Sequence, residues 1–346
     1  MKILVIQKKK IGDVLISSII LEALRKKFPD SELHYLVNLN TIAVVKNNPF
    51  IDKLVIFDYY ANKKLSNFFK FLLQIKREKY DVVIDAYGTP KSMIISLFTC
   101  AKETITYEKP YSKLFIKHTF ERRSKSYHDT STALEHRMML LEPLGIDFEL
   151  IAPKIFLTNL EVENAKGVLT KAGISLETPI IMISAIGSEH FKSYPLEYMA
   201  AVLNTIAKDR DIQLLFNYIP FQKQDALKLY ALCNTETQQK IKIDFYTENL
   251  REFLAITYLC KALIGNEGGA TNMAKAMDIP NFNIFSPEIP KASWNFFENE
   301  TTNISVHLDD YEPNLEPNQT IDALYKKLKP SFFEDRLISF LNLNCK

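Results

Sequence analysis

Residues 1–37 read MKILVIQKKKIGDVLISSIILEALRKKFPDSELHYLV. The run Lys2 to Gln7 is apolar and β-branched, too short for a helix and suited to a strand buried on both faces. A basic loop follows and ends in Gly12-Asp13. Beyond it Leu15, Ile19, Leu24 and Phe28 recur at helical spacing, which predicts one long amphipathic helix opening at Val14. Leu33 to Val37 is the next strand. Strand, loop, helix and strand make a βαβ unit, and its loop places a carboxylate where open α/β sheets assemble their sites.

The same alternation continues along the chain. Strands are expected at Ile3–Ile6, Leu33–Val37, Leu54–Phe57, Val82–Asp85 and Thr104–Tyr107 in the first half. In the second they are expected at Ile180–Ser184, Gln213–Phe216, Lys242–Asp244, Ala262–Ile264 and Asn281–Phe285, with helices between. The fold class is therefore α/β, with two Rossmann-like parallel-sheet domains. The expected division is 1–158, a linker region 159–178, a second domain 179–319, and a helical tail 320–346. A length of 346 residues suits two cores.

Charge narrows the chemistry. Lys and Arg number 43 against 41 Asp and Glu, a net of +2, so no global field calls for nucleic acid. Cys100, Cys233, Cys260 and Cys345 lie far apart with no CxxC spacing, which fits a reducing cytosol better than a disulfide framework. The six histidines show no HExxH or paired spacing, so no metal site is expected. No stretch reaches the roughly 18 uninterrupted apolar residues of a membrane span.

A second motif, IGNEGGATNMAKAMDIPNFNIFSP, runs from Ile264 to Pro287. Glycines before a helix expected at Ala270–Met277 let backbone N–H groups approach an anion, and the helix end favours negative charge. A third, SAIGSEHFKSYP, places Lys192 between a strand and a helix opening at Pro195. Read by itself, the second motif is either a diphosphate seat or a turn that packs a helix on a sheet. Lys192 is either a phosphate-neutralising cation or a solvated lysine. Asp13 is either a general base or the N-cap of its helix.

Together these motifs resemble the ADP-heptose:lipopolysaccharide heptosyltransferase family, whose members are GT-B glycosyltransferases with two domains facing a central cleft. The resemblance implies an inverting enzyme that moves a sugar, heptose above all, from a nucleotide-diphosphate donor to a lipopolysaccharide-core or related cell-surface glycan. Asp13 would be the base and Lys192 would meet the departing diphosphate. Donor contacts would come from Ser184, Gly187, Ser188, Lys192, Thr247, Leu250, Glu267, Gly268, Gly269, Ala270 and Asn272. The family usually has Asp at the place of Glu267 and His at that of Asn272. No metal or organic cofactor is required by that chemistry.

Lys9, Lys10 and Gly12, beside Asp13, and Lys113 and Arg122, in KPYSKLFIKHTFERRSKSYH, are the acceptor-binding candidates. That basic segment suits an anionic lipid-linked glycan, suits an anionic membrane surface, or is an ordinary solvated loop. The expected location is cytoplasmic, peripheral on the inner face of the inner membrane. Asp85, at the end of the fourth strand, is assigned a structural role near the Asp13 loop. Two rivals stand beside this reading. A nicotinamide oxidoreductase fails because QKKKIGD lacks GxGxxG. A transferase-like protein that binds nucleotide sugar or glycan without turnover, or a family member using a hexose donor, is compatible with Glu267 and Asn272.

Overall fold

The computed structural model describes residues 1–128, 130–314 and 319–346. The chain divides into two compact units, Met1–Phe156 and Leu157–Lys346.

The first unit holds six parallel strands: β1 (Lys2–Ile6), β2 (Glu32–Asn38), β3 (Lys53–Phe57), β4 (Val82–Asp85), β5 (Glu103–Tyr107) and β6 (His118–Phe120). Their order is β3-β2-β1-β4-β5-β6. β1 is central, and Ile3, Leu4, Val5 and Ile6 are all fully buried. Each such side chain contributes about 1.5–3 kcal/mol of burial, which is why an unbroken apolar run specifies this position. The sheet order reverses between β1 and β4, so the loops leaving those strands share the switch-point edge.

Two differences from expectation matter for the site. The first helix is two, Ile11–Ser17 and Ile19–Lys27, broken at Ser18, whose hydroxyl bonds the Leu15 carbonyl at 2.7 Å. Competition of a serine hydroxyl with the backbone ladder accounts for such a break. The first helix also opens at Ile11 rather than Val14, so Asp13 lies inside its first turn and Lys10 is the N-cap. The N-cap reading of Asp13 is corrected accordingly.

The second unit has five parallel strands: β7 (Ile180–Ser184), β8 (Gln213–Phe216), β9 (Ala262–Asn266), β10 (Asn281–Ile284) and β11 (Asn303–Val306), in the order β11-β10-β9-β7-β8. Lys242–Asp244 is not a strand; a single bridge joins Leu214 and Ile241 there. The helix Asn159–Lys171 packs against the helix Leu250–Leu259. Arg251 grips Glu161 through Nε and one Nη, at 2.8 and 2.7 Å, and this fork holds the Glu161 carboxyl well below its usual range. The tail forms the helices Ile321–Lys327 and Glu334–Asn344. It folds onto the second unit, where Leu337, Phe340 and Leu341 join Ile181, Ile183 and Leu214 in the core.

Candidate active site

In the first unit the Gly12-Asp13 turn is held from a distance in sequence. Arg137, from the helix Thr132–Met139, is 5% exposed. Its Nε donates to Ser17 Oγ at 3.2 Å, one Nη to the Ala133 carbonyl at 3.0 Å, and the other Nη to Asp13 Oδ1 at 2.5 Å. Asp13 Oδ2 takes a longer bond, 3.3 Å, from the Lys10 N–H. A buried guanidinium with three fixed acceptors has one orientation, so the carboxylate it grips has one too. Oδ2 is the less committed oxygen and the one suited to take a proton. Arg137 escaped sequence reasoning. It sits 124 positions from Asp13, in a helix whose pattern reads as ordinary packing.

Arg122 stacks its guanidinium 4.0 Å from the Tyr107 ring centre. Tyr107 is buried, donates to the His136 carbonyl at 3.0 Å, and feels the charges of Arg137, Arg122, Asp13 and Asp85. Arg122 therefore belongs to the surroundings of Asp13. Lys9 lies over Tyr59, 4.2 Å from its ring centre. Lys113 pairs with Glu108 at 2.7 Å on the surface, and no contact among the described residues ties it to Asp13.

Asp85 is 1% exposed. Its Oδ1 accepts the N–H groups of Tyr87 and Gly88, both at 3.0 Å, closing the turn after β4. Oδ2 has no hydrogen-bond partner among the described residues. Burial pushes this carboxyl up to about 6, against the pull of the turn N–H groups and of Lys8. Lys8 is itself buried and lowered to about 8, its ammonium 4.4 Å from the Phe57 ring centre. A carboxyl raised on folding favours the folded state below its unfolded value near 4 and loses that advantage as pH rises through about 6. Asp85→Asn keeps the turn acceptor and removes the titration. Denaturant unfolding at pH 4 and pH 7.5 should show the variant gaining about 2 kcal/mol on wild type at the higher pH.

In the second unit the Lys192 turn is pinned by β9 and the tail. Asn266, buried at the end of β9, accepts the Tyr194 N–H at 2.7 Å and donates to the Ser184 and Ala185 carbonyls at 2.9 Å each. Beside it Gly265 has φ +132°, and a Cβ there would lie 2.4 Å from the Ser184 carbonyl oxygen. Gly187 passes so close to Lys192 that a Cβ would stand 2.2 Å from that residue's carbonyl oxygen. Its N–H donates to Ser193 Oγ at 3.0 Å and its carbonyl accepts from Gln222 at 2.7 Å. The Phe191 carbonyl accepts from Ser286 and Tyr325, at 2.5 and 3.1 Å.

Glu267 follows β9, is nearly buried, and fastens its N–H to the Ile284 carbonyl at 2.9 Å. Burial raises its carboxyl, while the charges of Lys192 and Lys275 oppose that rise. Lys192 and Glu267, from motifs 75 positions apart in the sequence, thus share one electrostatic neighbourhood. Gly268 donates to Thr271 Oγ1 at 3.1 Å and opens the helix Gly269–Lys275, one residue ahead of the expected start at Ala270. Asn272 is buried in this helix. Lys275, lowered to about 8 by burial, donates to Asn295 Oδ1 and the Phe296 carbonyl at 3.0 Å each. Ser188 is exposed and Ser184 buried at the strand end. Leu250 opens the helix Leu250–Leu259, which packs against Gly269–Lys275. No hydrogen bond or charge contact among the described residues links Thr247 or Leu250 to Lys192 or Glu267. Asn266, Lys275 and Tyr325 were not singled out from sequence. The first two lie inside the Ile264–Pro287 motif, where a strand-end asparagine and a helical lysine give no sign of what they clamp.

No group of three His, Cys, Asp or Glu side chains among the described residues is disposed to hold a metal. Each unit offers one kind of chemistry: an oriented carboxylate in the first, and a cation beside a glycine turn in the second. No helix among the described residues is long and apolar enough to cross a membrane.

The chain is similar to known glycosyltransferases. Lipopolysaccharide heptosyltransferase 1 of Campylobacter coli is 25% identical over 295 residues, spanning 82% of this chain and 84% of that protein. The crystal structure of a family 9 glycosyl transferase from Veillonella parvula has a TM-score of 0.79 at 18% identity, covering 99% of this chain and 96% of that one. E. coli heptosyltransferase WaaC, solved with ADP-2-deoxy-2-fluoro heptose, has a TM-score of 0.68 at 15% identity, covering 97% and 98%. These likenesses show the GT-B fold class. The family model for glycosyltransferase family 9 (heptosyltransferase) matches residues 68–320, most of the chain, and the protein belongs to that family of glycosyltransferases.

Proposed function

We propose that this enzyme is an inverting heptosyltransferase that moves heptose from ADP-heptose to an anionic, lipid-linked lipopolysaccharide-core acceptor. The observation that carries the reading is the Asp13–Arg137 pair, a carboxylate fixed by a buried guanidinium. It stands in a chain whose relatives include a lipopolysaccharide heptosyltransferase and one solved with an ADP-heptose analogue.

In this mechanism the acceptor lies on the first unit, with Lys9, Lys10, Gly12, Lys113 and Arg122 meeting its anionic groups. Asp13 Oδ2 takes the proton of the attacking hydroxyl while that oxygen bonds the anomeric carbon. The bond from that carbon to the phosphate oxygen breaks on the opposite side, and ADP leaves with the electron pair, so the centre inverts. Lys192 offsets the charge that grows on the diphosphate. Ser184, Gly187, Ser188, Gly268, Gly269 and Ala270 form the phosphate seat. Glu267 and Asn272 face the sugar, and Thr247 and Leu250 line the base.

Glu267 and Asn272 favour a second reading on specificity. A side chain one methylene longer than the family's aspartate, and an amide in place of its histidine, would retune the pocket for a hexose on the same nucleotide. Calorimetry with ADP, UDP and GDP, followed by a turnover assay on whichever binds, tests the proposal. ADP binding with turnover supports it. ADP binding without transfer or hydrolysis assigns the protein to a binding role, and preference for UDP or GDP removes ADP-heptose.

A further inference from the structure

The helices Leu65–Arg77 and Pro90–Phe98 cover one face of the first unit's sheet. Their inner sides, Phe68, Phe71, Leu72, Ile75 and Ile95, pack with Leu4, Ile6, Leu36 and Val83. Their outer sides carry large apolar residues among the polar ones (Ser66, Lys70, Gln74, Lys76 and Arg77 on the first helix) that a solvated helix face presents alone. On the first helix Leu65 is 82% exposed, Phe69 52% and Leu73 37%, a stripe at four-residue spacing. On the second, Ile94 and Leu97 are exposed as well. The two stripes adjoin, because Phe69 meets Phe98 edge-on at 6.4 Å between ring centres. A contiguous apolar surface of this kind is uncommon on a protein that works alone in water.

Charge identifies what would cover it. Residues 59–77 contain Lys63, Lys64, Lys70, Lys76 and Arg77 and no Asp or Glu, and Glu78, which caps the first helix, is paired with Lys2 and Lys53; residues 86–102 contain Lys91 and Lys102 and no Asp or Glu. The chain as a whole is nearly balanced, at +2. Lys63, Lys64, Lys70, Lys76 and Arg77 are exposed around the stripe. A wide apolar stripe rimmed by cations and cleared of carboxylates is the chemistry of a helix that lies in the interface of an anionic bilayer. A protein partner matching this face would need an acidic rim of its own, and a second copy would set lysine against lysine.

We infer that the outer face of the helices Leu65–Arg77 and Pro90–Phe98 docks on an anionic lipid surface, with Leu65, Phe69, Leu73, Ile94 and Leu97 entering the headgroup boundary. This face is separate from the basic segment 109–125 and does not rest on the transfer reading. It would hold the enzyme on the surface where a lipid-linked acceptor resides.

The test uses the full chain and vesicles without any sugar substrate. The probes are phosphatidylethanolamine–phosphatidylglycerol vesicles beside neutral phosphatidylcholine vesicles. Cys100, the exposed one of the four cysteines, stands just past the second helix and takes an environment-sensitive fluorophore. Wild type should sediment with the anionic vesicles, lose binding as salt rises, and shift the fluorophore to the blue. Leu65→Ser/Leu73→Ser and Lys64→Glu/Lys70→Glu should each lower partitioning at least about tenfold, with near-ultraviolet dichroism and the thermal unfolding midpoint unchanged. All four positions are exposed, so folding is expected to survive. Three outcomes overturn the inference: no binding by wild type, variants that bind as wild type does, or a dimer in solution that Leu65→Ser/Leu73→Ser converts to monomer.

Discussion

Asp13→Asn is expected to lower the rate of sugar transfer by about 10²- to 10⁴-fold, the range a positioned general base supplies. Asparagine keeps one oxygen for the Arg137 guanidinium and gives up the longer bond from the Lys10 N–H, while the helix start is still held by the Val14 N–H on the Lys10 carbonyl at 2.9 Å. What goes is the capacity to take a proton. The donor seat is assigned to the other unit, so ADP affinity should stay within about twofold of wild type, a change under 0.5 kcal/mol. Steady-state transfer beside calorimetry for ADP separates the two quantities. A variant that transfers at close to the wild-type rate would leave the carboxylate with its role as a first-turn cap alone.

The second large effect is at Lys192. Lys192→Ala should lower kcat by about 10²- to 10³-fold, the cost of losing one preorganised partner for developing charge. The turn itself should persist, since it is fastened by the Asn266 clamp, the Gly187 passage and the Phe191 carbonyl rather than by the lysine ammonium. If the lysine only bound ground-state donor, KM would rise and kcat would hold. A kcat loss that shrinks for donors with better leaving groups would tie the ammonium to departure of the diphosphate.

Much of this architecture was legible because the governing residues lie close in sequence. β1 and β7 are unbroken apolar runs, and a strand buried on both faces has no other way to be written. The edge strands β6 and β11 escaped for the opposite reason. β6 is three half-buried residues inside a basic segment, and β11 begins with Asn303 and carries Ser305. Asn281 bonds Asn303 at 2.6 Å, and Ser305 bonds Asn295 at 2.7 Å and Glu298 at 2.5 Å. Those partners satisfy a polar sheet face that alternation alone reads as exposed. Lys242–Asp244 failed conversely, a short stretch expected as a strand beside which only Ile241 makes a bridge.

The site shows the same division. Gly12-Asp13, Lys192 and Gly268-Gly269 are compact motifs, and their residue types mark them as candidates. The groups that aim them are remote: Arg137 for Asp13, and Asn266 and Tyr325 for the Lys192 turn. Each looks like routine packing in its own helix or strand. A sequence read segment by segment reveals the candidate groups sooner than the residues that hold them still.

Heptose transfer from ADP-heptose is the proposed activity on which the roles given to Asp13 and Lys192 rest. The most direct measurement supplies the full chain with ADP-heptose and a heptose-free lipopolysaccharide core, and follows released ADP together with the mass of the acceptor. The account predicts one ADP released for each heptose gained, at least about tenfold faster than with ADP-glucose, UDP-glucose or GDP-mannose, a margin of 1.4 kcal/mol or more. ADP-heptose that binds and is neither transferred nor hydrolysed, or a hexose donor used in preference to it, would contradict the account.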